Sequence, residues 1–152
     1  MDMVAWLVLR VVFAWLFLMP LPGLLKDFKG SMQLARLLVP VMTPLFTVVM
    51  LLIMFVGSLS VLFGFYAQIG GLLLALYSLG GSVVHEKLAK QCQSAVLSGD
   101  ASDADNTVLS NTGCLGFVGH HSSAQKNIVL AGVGIFFLLM GSGPLSLTGT
   151  LF

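Results

Sequence analysis

The residue of greatest chemical interest is Arg10. It stands inside the apolar run MVAWLVLRVVFAWLFL, where a guanidinium costs several kcal/mol unless it finds a partner, water or lipid headgroups. Two readings are open. The side chain could anchor an anionic head group, a quinone carbonyl or a carboxylate of another chain. It could equally snorkel to the near interface, being about two turns into a helix. No carboxylate or imidazole occupies the middle of any apolar stretch, so a proton relay of paired carboxylates is not expected.

A second group is His85, Glu86, His120 and His121. Imidazoles gathered near one membrane face could ligate a haem or a metal, or touch a quinone head. Together with Cys92 and Cys114, however, they match no compact zinc spacing, and no metal site is assigned. Interfacial histidine without ligation is the plainer reading. Whether the two cysteines are linked stays open, since one pair fixes neither a framework nor a redox compartment. The chain has no phosphate loop, nucleophile elbow or dinucleotide fingerprint, and no catalytic residue is assigned. Small residues recur at four-residue spacing in Ser60 and Gly64 and in Ala67, Gly71 and Ala75. With Gly57, they are read as helix-packing positions that let backbones approach closely in lipid.

The elements that must position these residues are membrane helices. Of 152 residues, 57% are hydrophobic and 9% charged, against about 45–50% and about 25% in an ordinary soluble domain. A net charge of +1 supplies no basic footprint for nucleic acid. A spanning helix needs about 20 mostly apolar residues, and four stretches approach this: about 3–25, 44–65, 67–84 and 126–147. Pro20 and Pro22 kink or finish the first, which is read as a retained span rather than a signal peptide. The second and third are separated by a turn near Tyr66, Ala67 and Gln68, so they are antiparallel neighbours. Only about 14 residues of the fourth are uninterrupted, and Gly141 to Leu147 must finish the crossing or lie at the interface.

Between the first two spans, Lys29, Gln33 and Arg36 form one polar stripe opposite Met32, Leu34, Ala35, Leu38 and Val39. This suits a short helix in the headgroup plane, an irregular linker being the alternative. Residues 86–125, which include Asp100, Asp103 and Asp105, are polar and read as a loop too poor in large apolar residues to fold alone. The expected fold class is therefore all-α: a membrane protein forming an antiparallel four-transmembrane-helix bundle, with a short interfacial helix and one polar loop, as a single domain over residues 1–152. Every lysine and arginine except Arg10 falls in loop 26–43 or at the ends of loop 86–125. The positive-inside rule puts those loops on the cytoplasmic or matrix side of a bacterial or mitochondrial inner membrane, with both termini opposite.

The order of marks resembles the DoxX family of small four-helix membrane proteins. The marks are Arg10 followed by an apolar run closing on Lys26, then Phe28 and Gly30, Pro40 before the second span, and Gly57 and Gly64 within it. They continue with His85 at the end of the third span, Gln125-Lys126-Asn127 opening the fourth, and Gly141 to Leu147 (GSGPLSL) finishing it. The chain departs from that pattern at Met54, where many relatives have an acidic residue, at Gln68, where a basic one is common, and at Thr148, where an aspartate is usual. The resemblance implies links to quinone-coupled oxidation of sulfur compounds and to membrane assemblies of redox enzymes.

Without a catalytic constellation, the leading expectation is an accessory subunit. It would pack within, or help assemble, a larger redox or other energy-converting membrane complex, its partners being lipids and other membrane subunits. The alternative is a quinone-interacting oxidoreductase subunit in which Arg10 and His85 hold a quinone or lipid head group, with quinone or bound lipid as cofactor. A transporter of small solutes or lipid is a further alternative, weakened by the absence of inverted repeats and of polar residues at midplane.

Overall fold

A computed structural model describes residues 2–95 and 102–147; Asp100 and Thr148 lie outside the described residues. The described chain forms α1 (Asp2–Leu18), α2 (Leu21–Lys26), α3 (Phe28–Arg36), α4 (Thr43–Phe63), α5 (Ala67–Gln93) and α6 (Asp103–Met140). Four stretches are long and apolar enough to cross a bilayer: Met3–Lys26, Thr43–Phe63, Ala67–Gln93 and Asp103–Met140. The protein is an all-helical membrane bundle.

Proline sets the break in the first span. Pro20 caps α2 and Pro22 lies in its first turn, where a missing N–H costs nothing. The backbone bonds Met19 N to Trp15 O (2.9 Å) and Leu24 N to Pro20 O (3.1 Å) carry the chain across the bend. Asp27 then caps α3, its carboxylate accepting from Gly30 N at 3.0 Å, and Ser31 donates to Leu24 O at 2.8 Å. The Lys29, Gln33 and Arg36 stripe therefore lies on a true helix tied back to α2.

Residues 86–125 differ from the expected loop. α5 runs on to Gln93, and α6 already starts at Asp103, so most of that polar stretch is helix and the helix that carries the fourth span begins well before Lys126. A helix needs only its own backbone bonds and one face to pack, and the face here is built from glycines. Cys92 O would stand 2.7 Å from a Cβ at Gly113, and Cys92 Sγ 2.9 Å from one at Gly116. Ser102 caps α6 by accepting from Asp105 N at 3.2 Å, and Asp103 and Asp105 sit in the first turn, where negative charge suits the helix dipole. Both cysteines are free, with Cys114 exposed. α6, the helix of the fourth span, ends at Met140, and Gly141 to Leu147 turn back without helical structure.

At about 1.5 Å per residue, the 38 residues of α6 reach about 57 Å, nearly twice the roughly 30 Å of a hydrocarbon core. The surplus, paired with the end of α5, forms a two-helix arm. Within the bundle, Phe13, Phe17, Leu51, Met54, Val61, Leu74 and Phe137 form the core. Buried hydroxyls bond their own helices: Thr47 to Thr43 O (2.8 Å), Ser58 to Met54 O (2.5 Å) and Ser78 to Leu74 O (2.8 Å). In lipid this satisfies groups that no water could reach. Met54, where relatives carry an acid, is thus part of an apolar core.

Candidate functional site

At the end of the bundle where α4 hands over to α5, two turns meet α1 around Arg10. Trp6 and Arg10 are one helical turn apart and share a face of α1. Ser60 donates to Phe65 O (2.7 Å) and Tyr66 O (3.0 Å), tying down the α4–α5 turn. In that turn Gly64 (φ 64°) and Tyr66 (φ 50°) are left-handed. Gly64 has no room for a side chain, because a Cβ there would run into Arg10 Nη1 and Ser146.

The segment Gly141 to Leu147 closes the site. Gly141, Gly143 and Leu145 all have positive φ, a conformation glycine adopts freely and leucine rarely. Trp6 lies flat on Gly143, with Cγ 2.7 Å from where a Cβ would be. The left-handed turn at Leu145 aims its carbonyl at Arg10, which donates from Nη2 at 2.6 Å. Leu147 N donates to Phe63 O at 3.1 Å, locking the segment to the end of α4.

Arg10 is 1% exposed, so it does not run out to the surface. Its Nε and Nη1 have no hydrogen-bond partner among the described residues. The arginine is enclosed by protein and spends its one described bond on a backbone carbonyl, which makes it a clasp for the returning chain.

The histidines lie at the other end. His85 and His120 approach Nδ1 to Nδ1 at 3.1 Å, which is a hydrogen bond when one nitrogen carries a proton and the other a lone pair. Beside them, His121 Nδ1 meets Glu86 Oε2 at 3.0 Å, the two side chains 44% and 40% exposed. The His121 ring stacks on Phe117 at 5.5 Å. Lys87 Nζ donates to Leu37 O at 2.6 Å, joining α5 to the chain after α3. His85 also borders a cleft of about 130 Å³ under α3, walled by Leu34, Leu38, Met50, Leu51 and Tyr77 among others. Among the described residues no three histidine, cysteine, aspartate or glutamate side chains converge as a metal site.

Arg10 and His85 are not brought together. Arg10 sits beside the turn that precedes Ala67, whereas His85 is 18 residues further along α5, about 27 Å at the helical rise. One head group cannot touch both. The small residues divide their work: Gly57 and Gly70 bring α4 onto α5, while Gly71, Ala75 and Gly134 bring α5 onto α6, with Gly134 O 2.6 Å from a Cβ at Gly71. Ala67 is fully buried. The sequence reading missed Leu145 as the partner of Arg10 and Tyr77 as a wall of the cleft. A carbonyl acceptor carries no residue signature, but the Gly-x-Gly of 141–143 was a legible sign of a sharp return.

The family model described as DoxX matches residues 5–86, from the first span into α5. The marks at Lys126–Asn127 and Gly141 to Leu147 lie beyond that match. No curated protein and no solved structure matches the chain.

Proposed function

The chain belongs to the DoxX family of membrane proteins, and from that premise we propose that it is an accessory subunit, packing within or helping to assemble a larger redox or energy-converting membrane complex. The observation that carries this reading is the arm. α6 outruns the hydrocarbon by some 27 Å at the helical rise, and the overshoot presents Val108, Leu115 and Val118, which are 65%, 75% and 57% exposed. Apolar side chains held out on a helix beyond the membrane are what a second polypeptide would cover. Arg10, the one buried charge among the described residues, is committed to holding the fold, which leaves it little part in turnover.

The bond from Lys87 to Leu37 O supports placing loop one and the α5–α6 arm at the same end. With their lysines and arginines, that end faces the cytoplasm or matrix. Purification of the tagged protein in mild detergent tests the proposal. Other subunits should co-purify with the native chain and be lost from Leu115→Glu/Val118→Glu, while the thermal stability of the variant stays within about 0.5 kcal/mol, as for surface positions. A native chain that migrates alone overturns it.

One observation favours a second reading, the quinone-interacting subunit. The cleft beside Tyr77 and His85 is comparable in size to cavities that accept a single aromatic ring, about 150 Å³. In this reading His85, without Arg10, meets the head group. Quinone binding that survives both His85→Ala and Tyr77→Ala counts against it.

A further inference from the structure

We propose that the His85–His120 contact is a proton-operated switch in the α5–α6 hairpin, closed when the two rings share one proton and opened when each carries its own. The proposal rests on the geometry of the seam and stands whether or not the arm has a partner. The rings are 5.4 Å apart between centroids, and their Nδ1 atoms are 3.1 Å apart. An imidazolium has a hydrogen on both nitrogens. One added proton leaves an imidazolium N–H facing the neighbour's lone pair and keeps the bond; when both rings are imidazolium, the only described bond between them becomes two facing N–H groups, each on a positive charge.

Among the described residues no unengaged carboxylate faces the pair. From α6, the ammonium of Lys126 is within electrostatic reach of His85 and adds repulsion. From α5, Glu86 is already engaged by His121, and Lys87 is bound to Leu37 O. On α2, α3, the chain after α3 and α4, the side chains that border the cleft with His85 include Leu24, Ser31, Leu38, Thr47 and Met50; no lining residue there is a lysine, arginine or carboxylate, and the other titratable group is the Tyr77 phenol. Protonation of His121 works in the opposite sense, since it strengthens the Glu86 pair. That pair holds as a pivot on one flank while the seam opens on the other.

The position suits a response to pH. α5 has run about 30 Å by Glu86, so the rings stand at the edge of the hydrocarbon, beside half-exposed side chains in contact with water. Imidazole is the side chain whose ordinary titration falls in the physiological range. The consequence is mechanical. Above the seam the glycine contacts of Gly71 with Gly134 fix α5 on α6, and below it the arm is held by Cys92 against Gly113 and Gly116. Opening at His85 loosens α5 from α6 between these two sets of contacts without unfolding either helix, and so relaxes the close approach of Cys92 to Gly116.

The molecule carries its own reporter. Cys92 is seven residues after His85 on the same helix face, its sulfur pressed on Gly116, whereas Cys114 is exposed. The full-length protein in lipid nanodiscs is treated with a maleimide, and the ratio of Cys92 to Cys114 alkylation rates is measured in steps from about pH 7.5 to about pH 4.5, through and below the ordinary histidine range. Taking the ratio cancels the loss of thiolate that acid imposes on both thiols. The ratio should rise about fivefold or more on acidification, as a close like-charge contact would give, and stay flat in His120→Asn and in His85→Asn. A ratio that does not change in the native protein, or that rises equally in whichever of the two variants retains the native elution volume, overturns the proposal.

Discussion

The two ends of this bundle handle charge in opposite ways. Around Arg10 the chain excludes water, stacks Trp6 on Gly143, and brings a backbone carbonyl from the far end of the sequence to the guanidinium. Around His85 the polar side chains pair with one another across a helix seam and remain part-exposed. The difference is that between a charge consumed in folding and charges left able to respond. The first explains how an arginine can stand in the first span with no acidic partner among the described residues. The second leaves titratable side chains part-exposed at the foot of the arm.

Substitutions at each end sharpen the contrast. The largest effect should come from Gly143→Ala, which forces a methyl into the Trp6 ring and onto a left-handed backbone. A loss of about 2–4 kcal/mol is expected, read from thermal or denaturant unfolding in detergent. At the arm, Gly119→Ala meets nothing within 4 Å and should gain up to about 1 kcal/mol from helix propensity. An equal penalty at both glycines would erase the distinction.

Arg10→Ala comes next. It leaves a hole and an orphaned Leu145 carbonyl, with an expected cost of about 2–3 kcal/mol and a shift in Trp6 fluorescence. Arg10→Met refills the volume and should recover much of that loss, since a buried charge with unsatisfied donors is poorly compensated. If Arg10→Ala were as stable as the native chain, the clasp would have no structural role. The smallest effect belongs to the exposed ion pair. Glu86→Gln should change stability by no more than about 0.5 kcal/mol, and a larger loss would show that the arm end is as tightly built as the other.

The sequence made the spans legible because hydrocarbon imposes a minimum length on apolar runs. It also made α3 legible, since Lys29, Gln33 and Arg36 repeat at helical spacing behind the Asp27 cap. The lower half of α6 escaped for a physical reason. SNTGCLGFVGHHSSAQ has no apolar stripe, and its helix depends on glycines that let α5 lie close. The cap at Ser102 and Asp105 was the readable signal, a serine followed three residues later by an acid. Arg10 was legible as a problem, but its solution was not, because a carbonyl 135 residues away is chosen by the fold and not by residue type.

Where α6 leaves the membrane decides whether the arm exists. Single nitroxide labels placed along α6, at Val108, Leu115, Val118, Val129 and Leu139, can be compared for access to oxygen, which concentrates in lipid, and to a water-soluble nickel complex. The first three should respond to nickel and the last two to oxygen, with the crossover near His121. If Val108, Leu115 and Val118 behave like Leu139, the hairpin lies in the bilayer, there is no arm, and the accessory-subunit reading fails with it.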